Sequence, residues 1–278
     1  MRTIELPAGT IGYTDSGGTG PVVVLLHGLL MDDTLYTDVV ADLAADHRCL
    51  VPVLPLGAHT HPMAPEADLS MRGIARLVGQ FLDRLDLTDV TLVGNDTGGA
   101  LVQLLAAERH PRVGRIVLAS CDAFDNFPPG LTGKTLVLTG KLAPGLFGAF
   151  MQQLRIKPMR RLPIVFGWLT KRGDATTARW IKPILNQREI RRDTVRVLRT
   201  IAEQRGLLVQ VAELLRDYDR PALVVWAERD KVMPPEHGRR LAELLPRAKL
   251  VEISHSYSLL PLDQPAALAG AIRDFTAA

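Results

Sequence analysis

The stretch "VGNDTGGA", Val93 to Ala100, sets Asp96 between Gly94 and Gly98 in a Gly-x-nucleophile-x-Gly spacing. That spacing suits a strand that turns sharply into a helix, because the strained residue at the tip leaves no room for side chains beside it. The run "VTLV" before it and "ALVQLLAAE" after it supply the strand and the helix. An aspartate has an ordinary pKa near ~4, so at neutral pH it is already ionised and needs no base to become a nucleophile. It can displace a leaving group from saturated carbon and form an alkyl ester, which water activated by a histidine would then hydrolyse. The plainer reading is a strand-to-helix turn with Asp96 as an N-cap. Both flanks favour the elbow.

The elements that would position Asp96 can be read from the same chain. "TIELP" and "TIGYTDSG" alternate and are joined by "PAG", which predicts a hairpin. "PVVVLLHG", "RCLVPVL", "VTLVGND", "RIVLAS", "ALVVWAE" and "LVEIS" read as strands buried on both faces. Between them, "LYTDVVADLAADH", "SMRGIARLVGQFLDRLDL", "GGALVQLLAAERHP" and "PPEHGRRLAELLP" carry helical spacing or proline boundaries. Alternating strands and helices predict a mostly parallel sheet covered on both faces. In such sheets ligands sit at the carboxyl ends of the strands. Those ends carry His27 and Leu29, Asp96 and Thr97, Asp122, Asp230, and His255.

The alternation stops between residues 122 and 220, where the chain turns helical and basic. From Lys141 to Arg220 there are 17 Lys and Arg against 7 Asp and Glu, although the net charge of the whole 278-residue chain is only +3. We therefore expect a core of residues 1–121 and 221–278 and an insertion over 122–220. The excess charge suits an anionic substrate or membrane surface, with a solvated basic face as the default. A 47% hydrophobic and 23% charged composition reads as soluble and globular. We see no signal peptide and no apolar run long enough to span a bilayer, so the expectation is a cytoplasmic protein without stable membrane insertion. Cys49 and Cys121 adjoin apolar runs and read as buried free thiols.

At this point the chain resembles the α/β-hydrolase family over nearly its whole length. "LLHG" resembles that family's oxyanion-hole segment, which implies backbone N–H donors at Leu29 and Thr97 and a shaping role for His27. "WAERDKVMPPEH" resembles the segment bearing the family's acid and implies that role for Asp230. With His255 the order nucleophile, acid, histidine is also the family's. "DAFDNFPP" followed by a helical stretch resembles the start of its lid. The resemblance implies an α/β-hydrolase fold, with about eight strands, helices on both faces and a helical lid over a small hydrophobic substrate.

The aspartate elbow narrows the resemblance to the haloalkane dehalogenase and epoxide hydrolase branch, with departures. Thr97 stands where dehalogenases carry tryptophan, and Leu29 where they often carry asparagine. Leu30 stands where epoxide hydrolases carry proline, and of the tyrosines only Tyr218 is near the lid. In the family the histidine lies seven residues before a proline. Counting back from Pro265 reaches Ser258, and His255 lies three residues earlier. Either position is open to face the nucleophile, and Asp122 competes with Asp230 as the supporting acid.

Other residues have two readings. Trp168 and Trp180 are candidate donors from the lid or plain core, and Phe147, Phe150, Met151 and Phe166 are candidate cap residues. Asp125 and Asn126 would line the pocket at the lid root. His59 and His61 lack the partners of a zinc site and read as a solvated loop at the pocket edge. "GLTGKT" has Pro128 where a phosphate loop needs glycine, so no nucleotide site is expected. No reading calls for a metal, an organic cofactor or a nucleic acid, and a monomer and a homodimer are equally compatible. Three functions remain open: a hydrolase working through an Asp96 ester; a lyase, isomerase or cyclase with Asp96 as general base or hydrogen-bond acceptor; and a ligand-binding protein.

Overall fold

A computed structural model describes residues 1–277. Its sheet begins with the hairpin expected from "PAG": β1 (Arg2–Leu6) and β2 (Gly9–Asp15) pair antiparallel with Leu6 opposite Gly9. Six more strands follow, β3 (Val22–Leu26), β4 (Arg48–Pro52), β5 (Val90–Asp96), β6 (Val113–Cys121), β7 (Ala222–Ala227) and β8 (Ala248–Ile253). The order is β1-β2-β4-β3-β5-β6-β7-β8, with β3 to β8 parallel. This is the fold expected from the sequence.

The chain leaves β3 for β4 on one side and returns to place β5 on the other. A crevice therefore opens between the carboxyl ends of β3 and β5, where open α/β sheets bind ligands. Leu29 lies in the segment after β3, and Asp96 is the last residue of β5.

All of β5 is buried, including its polar Thr91, Asn95 and Asp96, as in a central strand covered on both faces. The helix Thr97–Ala107 that follows is buried through Ala106, between β5 and β6 on one side and the helices Met71–Arg84 and Leu207–Leu215 on the other. A helix apolar all round belongs in an interior. Ser70 starts Met71–Arg84 by accepting from the Gly73 N–H at 3.0 Å. "LVEIS" departs from its expected burial: β8 is the sheet edge, and only Ile253 within it is buried.

Between β6 and β7 the chain forms a series of short helices and the longer Arg188–Glu203. "GLTGKT" opens the helix Gly130–Thr139 rather than a phosphate loop. Leu207–Leu215, the last helix of the insertion, packs on Thr97–Ala107 and so lies against the core. The basic residues of Arg188–Glu203 are not simply solvated. Arg192 donates to the Met63 carbonyl at 2.7 Å and Arg199 to that of Gly140 at 2.9 Å. Buried Asp193 accepts from the Met63 N–H at 2.8 Å and lies 3.6 Å from His59. His59 is thus buried between insertion and core, not a solvated loop residue, and burial holds its pKa below the usual value. Cys49 and Cys121 are buried free thiols. No helix among the described residues is long and apolar enough to cross a membrane.

Candidate active site

Asp96 adopts φ 55° and ψ −131°, the strained tip that the glycine spacing foretold. Gly28 is needed for close approach: a Cβ there would collide with the Asp96 carboxyl. A Cβ on Gly98 would collide with the Leu26 carbonyl, so strand, turn and helix start can meet only over glycine.

One carboxyl oxygen of Asp96, Oδ1, accepts from the Thr97 N–H at 2.7 Å, and the Leu29 N–H lies near the carboxyl and favours its charged form. Burial raises the Asp96 pKa, and these groups work against that rise. Asp96, Thr97 and Leu29 line a mostly apolar cavity of about 230 Å³. The insertion supplies most of the remaining wall, including Thr132, Leu136, Phe150, Met151, Leu162 and Phe166. No histidine lines it among the described residues.

A second carboxyl stands behind the first. Residues 96 and 121 pair across β5 and β6, which carries Asp122 to the elbow. The Thr97 hydroxyl lies 3.1 Å from Asp96 Oδ1 and 3.0 Å from Asp122 Oδ2. A hydroxyl has one proton to give, so it satisfies both contacts when it donates to one carboxylate and accepts from a protonated other. Asp122 fits the protonated role. Burial, and then the Asp96 charge, push its pKa well above the usual carboxyl range. Its Oδ1 has no partner among the described residues.

Asp230 forms a separate cluster after β7. Its Oδ1 accepts from the N–H groups of Val232 and Met233 at 2.9 and 2.8 Å and from the Ser258 hydroxyl at 2.6 Å. Burial pushes its pKa up to about 6 despite these bonds. Ser258 is fully buried, and its carbonyl accepts from the Asn95 side chain at 2.8 Å, which ties it to the residue before Asp96. His255 is exposed on the turn after β8 with φ 61°, and its ring makes no hydrogen bond to Asp96 or Asp230. The structure thus brings Ser258, not His255, to the acid.

His27 does not reach the cavity: its Nδ1 donates to the Gly28 carbonyl at 2.9 Å and its Nε2 accepts from the Leu54 N–H at 2.9 Å. It shapes the turn, and burial lowers its pKa. Asn126 does not line the cavity either, because it donates to the Val232 carbonyl and accepts from the Gly130 N–H, both at 2.9 Å. Trp168 lies outside the cavity wall, packed on the core, as does Phe147. Trp180 is buried and donates to Thr34 Oγ1 at 2.9 Å. The bridging hydroxyl of Thr97 is a feature the sequence reading missed, since only its N–H was considered. The polar wall of Thr132, Thr135 and Thr139 was also missed, though their spacing on one helix could have pointed to it. Among the described residues no group of three or more His, Cys, Asp or Glu is placed to hold a metal ion.

Comparison with known proteins agrees with this architecture. The profile of the α/β hydrolase fold family matches residues 21–265. Haloalkane dehalogenase 2 of Mycobacterium tuberculosis (strain ATCC 25618 / H37Rv) is 26% identical over 275 residues, covering 98% of this chain and 93% of its own. Among solved structures, haloalkane dehalogenase DbeA from Bradyrhizobium elkani superposes with a TM-score of 0.78 at 20% identity, covering 99% of this chain and 98% of its own. A thermophilic esterase from Thermogutta terrifontis does so with a TM-score of 0.75 at 20% identity, covering 100% and 98%. By the family profile and by its sheet, the chain belongs to the α/β-hydrolase fold family and is an enzyme of the α/β-hydrolase superfamily.

Proposed function

We propose that Asp96 attacks a small apolar electrophile bound beneath the helical insertion, which serves as a lid, and that the reaction passes through an alkyl ester on Asp96. The observation that carries this reading is the pose of the carboxyl. One oxygen, Oδ1, is held by the backbone N–H of Thr97, the Leu29 N–H lies near the carboxyl, and Asp96 faces an apolar cavity. The unheld oxygen attacks carbon and the leaving group departs with its electron pair. The haloalkane dehalogenase relatives support a halide as one such leaving group. When water then attacks the ester carbon, the held oxygen carries the developing negative charge, and the Thr97 N–H stabilises it with the Leu29 N–H nearby.

The second step needs a base, and no imidazole lies at the site. Asp230 supports that role through Ser258. Its pKa of about 6 lies close to that of an ordinary imidazole. Neither Asp230 nor Ser258 lines the cavity, but Val232 beside Asp230 does. Because its hydroxyl donates to Asp230, Ser258 would take a proton from a water admitted past that wall as it passes its own to the carboxylate. The alcohol product then leaves and Asp96 is regenerated.

The test is intact-mass spectrometry after mixing the chain with an alkyl bromide. We expect a transient gain of the alkyl mass on Asp96, lasting longer in Ser258→Ala and absent in Asp96→Asn. Turnover of substrate without any adduct, even in Ser258→Ala, would sink the covalent reading. A second reading, an acid–base lyase, isomerase or cyclase, is favoured by the Thr97 hydroxyl that links Asp96 to Asp122. It would gain from that same adduct-free turnover.

A further inference from the structure

From Asn126 to Gly173 the chain carries eight Lys and Arg and no Asp or Glu. Only Arg160 of the eight is buried, where it pairs with Asp174 at 3.1 Å. The same stretch holds most of the exposed large apolar side chains among the described residues. Leu131, Leu138, Leu146, Phe150 and Ile156 are each 48% to 63% exposed. Among the described residues the others are Met1, Val209, Leu214, Leu250 and Val251.

The two properties are interleaved on the helices. On Gly130–Thr139, Thr132, Leu136 and Thr139 line the cavity, while Leu131, Lys134 and Leu138 share the exposed face at helical spacing. On Pro144–Met151, Met151 turns to the cavity and Leu146 outward. Phe150, Leu162 and Ile164 belong to both sets, since they line the cavity and are exposed. The patch therefore reaches the cavity wall itself.

An exposed apolar patch of this kind marks an interaction surface. A second copy of the chain is a poor occupant. A two-fold contact sets the same patch against itself, and here it would face one unbroken run of positive charge with another. An anionic lipid surface complements both properties, with its headgroups meeting Lys and Arg while Leu and Phe side chains enter the acyl boundary.

We propose that the face formed by residues 131–172 docks reversibly on anionic lipid bilayers, so that an apolar substrate enters the cavity directly from the membrane. This goes beyond the Asp96 chemistry, and vesicle partitioning reads it without turnover, so either idea can fail alone.

The full chain would be sedimented with vesicles of phosphatidylcholine alone and of phosphatidylcholine mixed with phosphatidylglycerol. We expect partitioning onto the mixed vesicles only, and weakening as salt is raised. Each lysine removed should weaken it roughly fivefold, so Lys134→Glu with Lys157→Glu should lower it by more than about tenfold. Leu146→Ser with Ile156→Ser should lower it as well. Lys249→Glu, on the exposed edge strand, should leave it unchanged, and circular dichroism checks that every variant is folded. Equal partitioning onto both vesicles, or none onto either, would overturn the proposal. So would a loss as large in Lys249→Glu as in the insertion variants. Concentration-dependent dimerisation that Leu146→Ser abolishes, without vesicle binding, would assign the face to a second copy instead.

Discussion

Two clusters of carboxyl and hydroxyl groups face the carboxyl end of the sheet, and they differ in what the hydroxyl joins. At β5 and β6, Thr97 stands between Asp96 and Asp122, and burial raises the pKa of both acids. At β7 and β8, Ser258 meets Asp230 alone, and that acid titrates near 6. In the first cluster the charge of Asp96 opposes ionisation of its neighbour Asp122. The second keeps a single carboxyl poised to gain or lose a proton near neutral pH. Burial raises all three pKa values, so the difference lies in the partners and not in the degree of burial.

The sharpest way to break this comparison is to remove Asp96. Asp96→Asn should lower turnover of an alkyl bromide by at least roughly a thousandfold. Initial rates of bromide release would show it, and undiminished rates would take the chemistry away from this cluster.

The second cluster is tested next. Ser258→Ala should slow steady-state turnover by roughly a hundredfold or more, the usual contribution of a general base. In the unaltered chain the rate should rise with pH through about 6, as Asp230 becomes ionised. A flat profile would show that Asp230 is not the base.

Stability gives a third, smaller effect. The folded pKa of Asp230, about 6, lies above the ordinary 3.8, so the folded chain holds a proton that the unfolded chain releases. Its contribution to stability is present below pH ~4 and is lost as pH rises through about 6. The loss amounts to at most about 3 kcal/mol. Asp230→Asn should remove this dependence and stabilise the chain at pH 7, as measured by urea denaturation across that range. No difference between the two chains would mean that Asp230 is not buried as a charge.

Asp122→Asn should have the smallest effect. An amide stands in for a neutral carboxylic acid, so activity should change by less than roughly fivefold. A loss comparable to that of Asp96→Asn would mean that Asp122 works as an ionised acid. That would make the two clusters alike.

What could be read in advance follows from the range of the interactions. The elbow was legible at Gly94 and Gly98 because a sharp strand-to-helix turn demands glycine at fixed offsets from its tip. Most strands were legible because burial on both faces leaves continuous apolar runs. β8 misled because an edge strand can carry the same apolar residues as a central one.

By itself the sequence determined the sheet, the helical and basic stretch within it, and the aspartate at the tip of the turn. Only the tertiary structure decided which groups meet that aspartate. Asp122 lies far from Thr97 along the chain and reaches it through the β5–β6 register. The choice of Ser258 over His255 depends on an irregular turn after β8, where φ at His255 is positive and the chain leads the third residue onward to Asp230. The raised carboxyl pKa values arise in the same way, because burial comes from segments that are distant in sequence and adjacent only once folded.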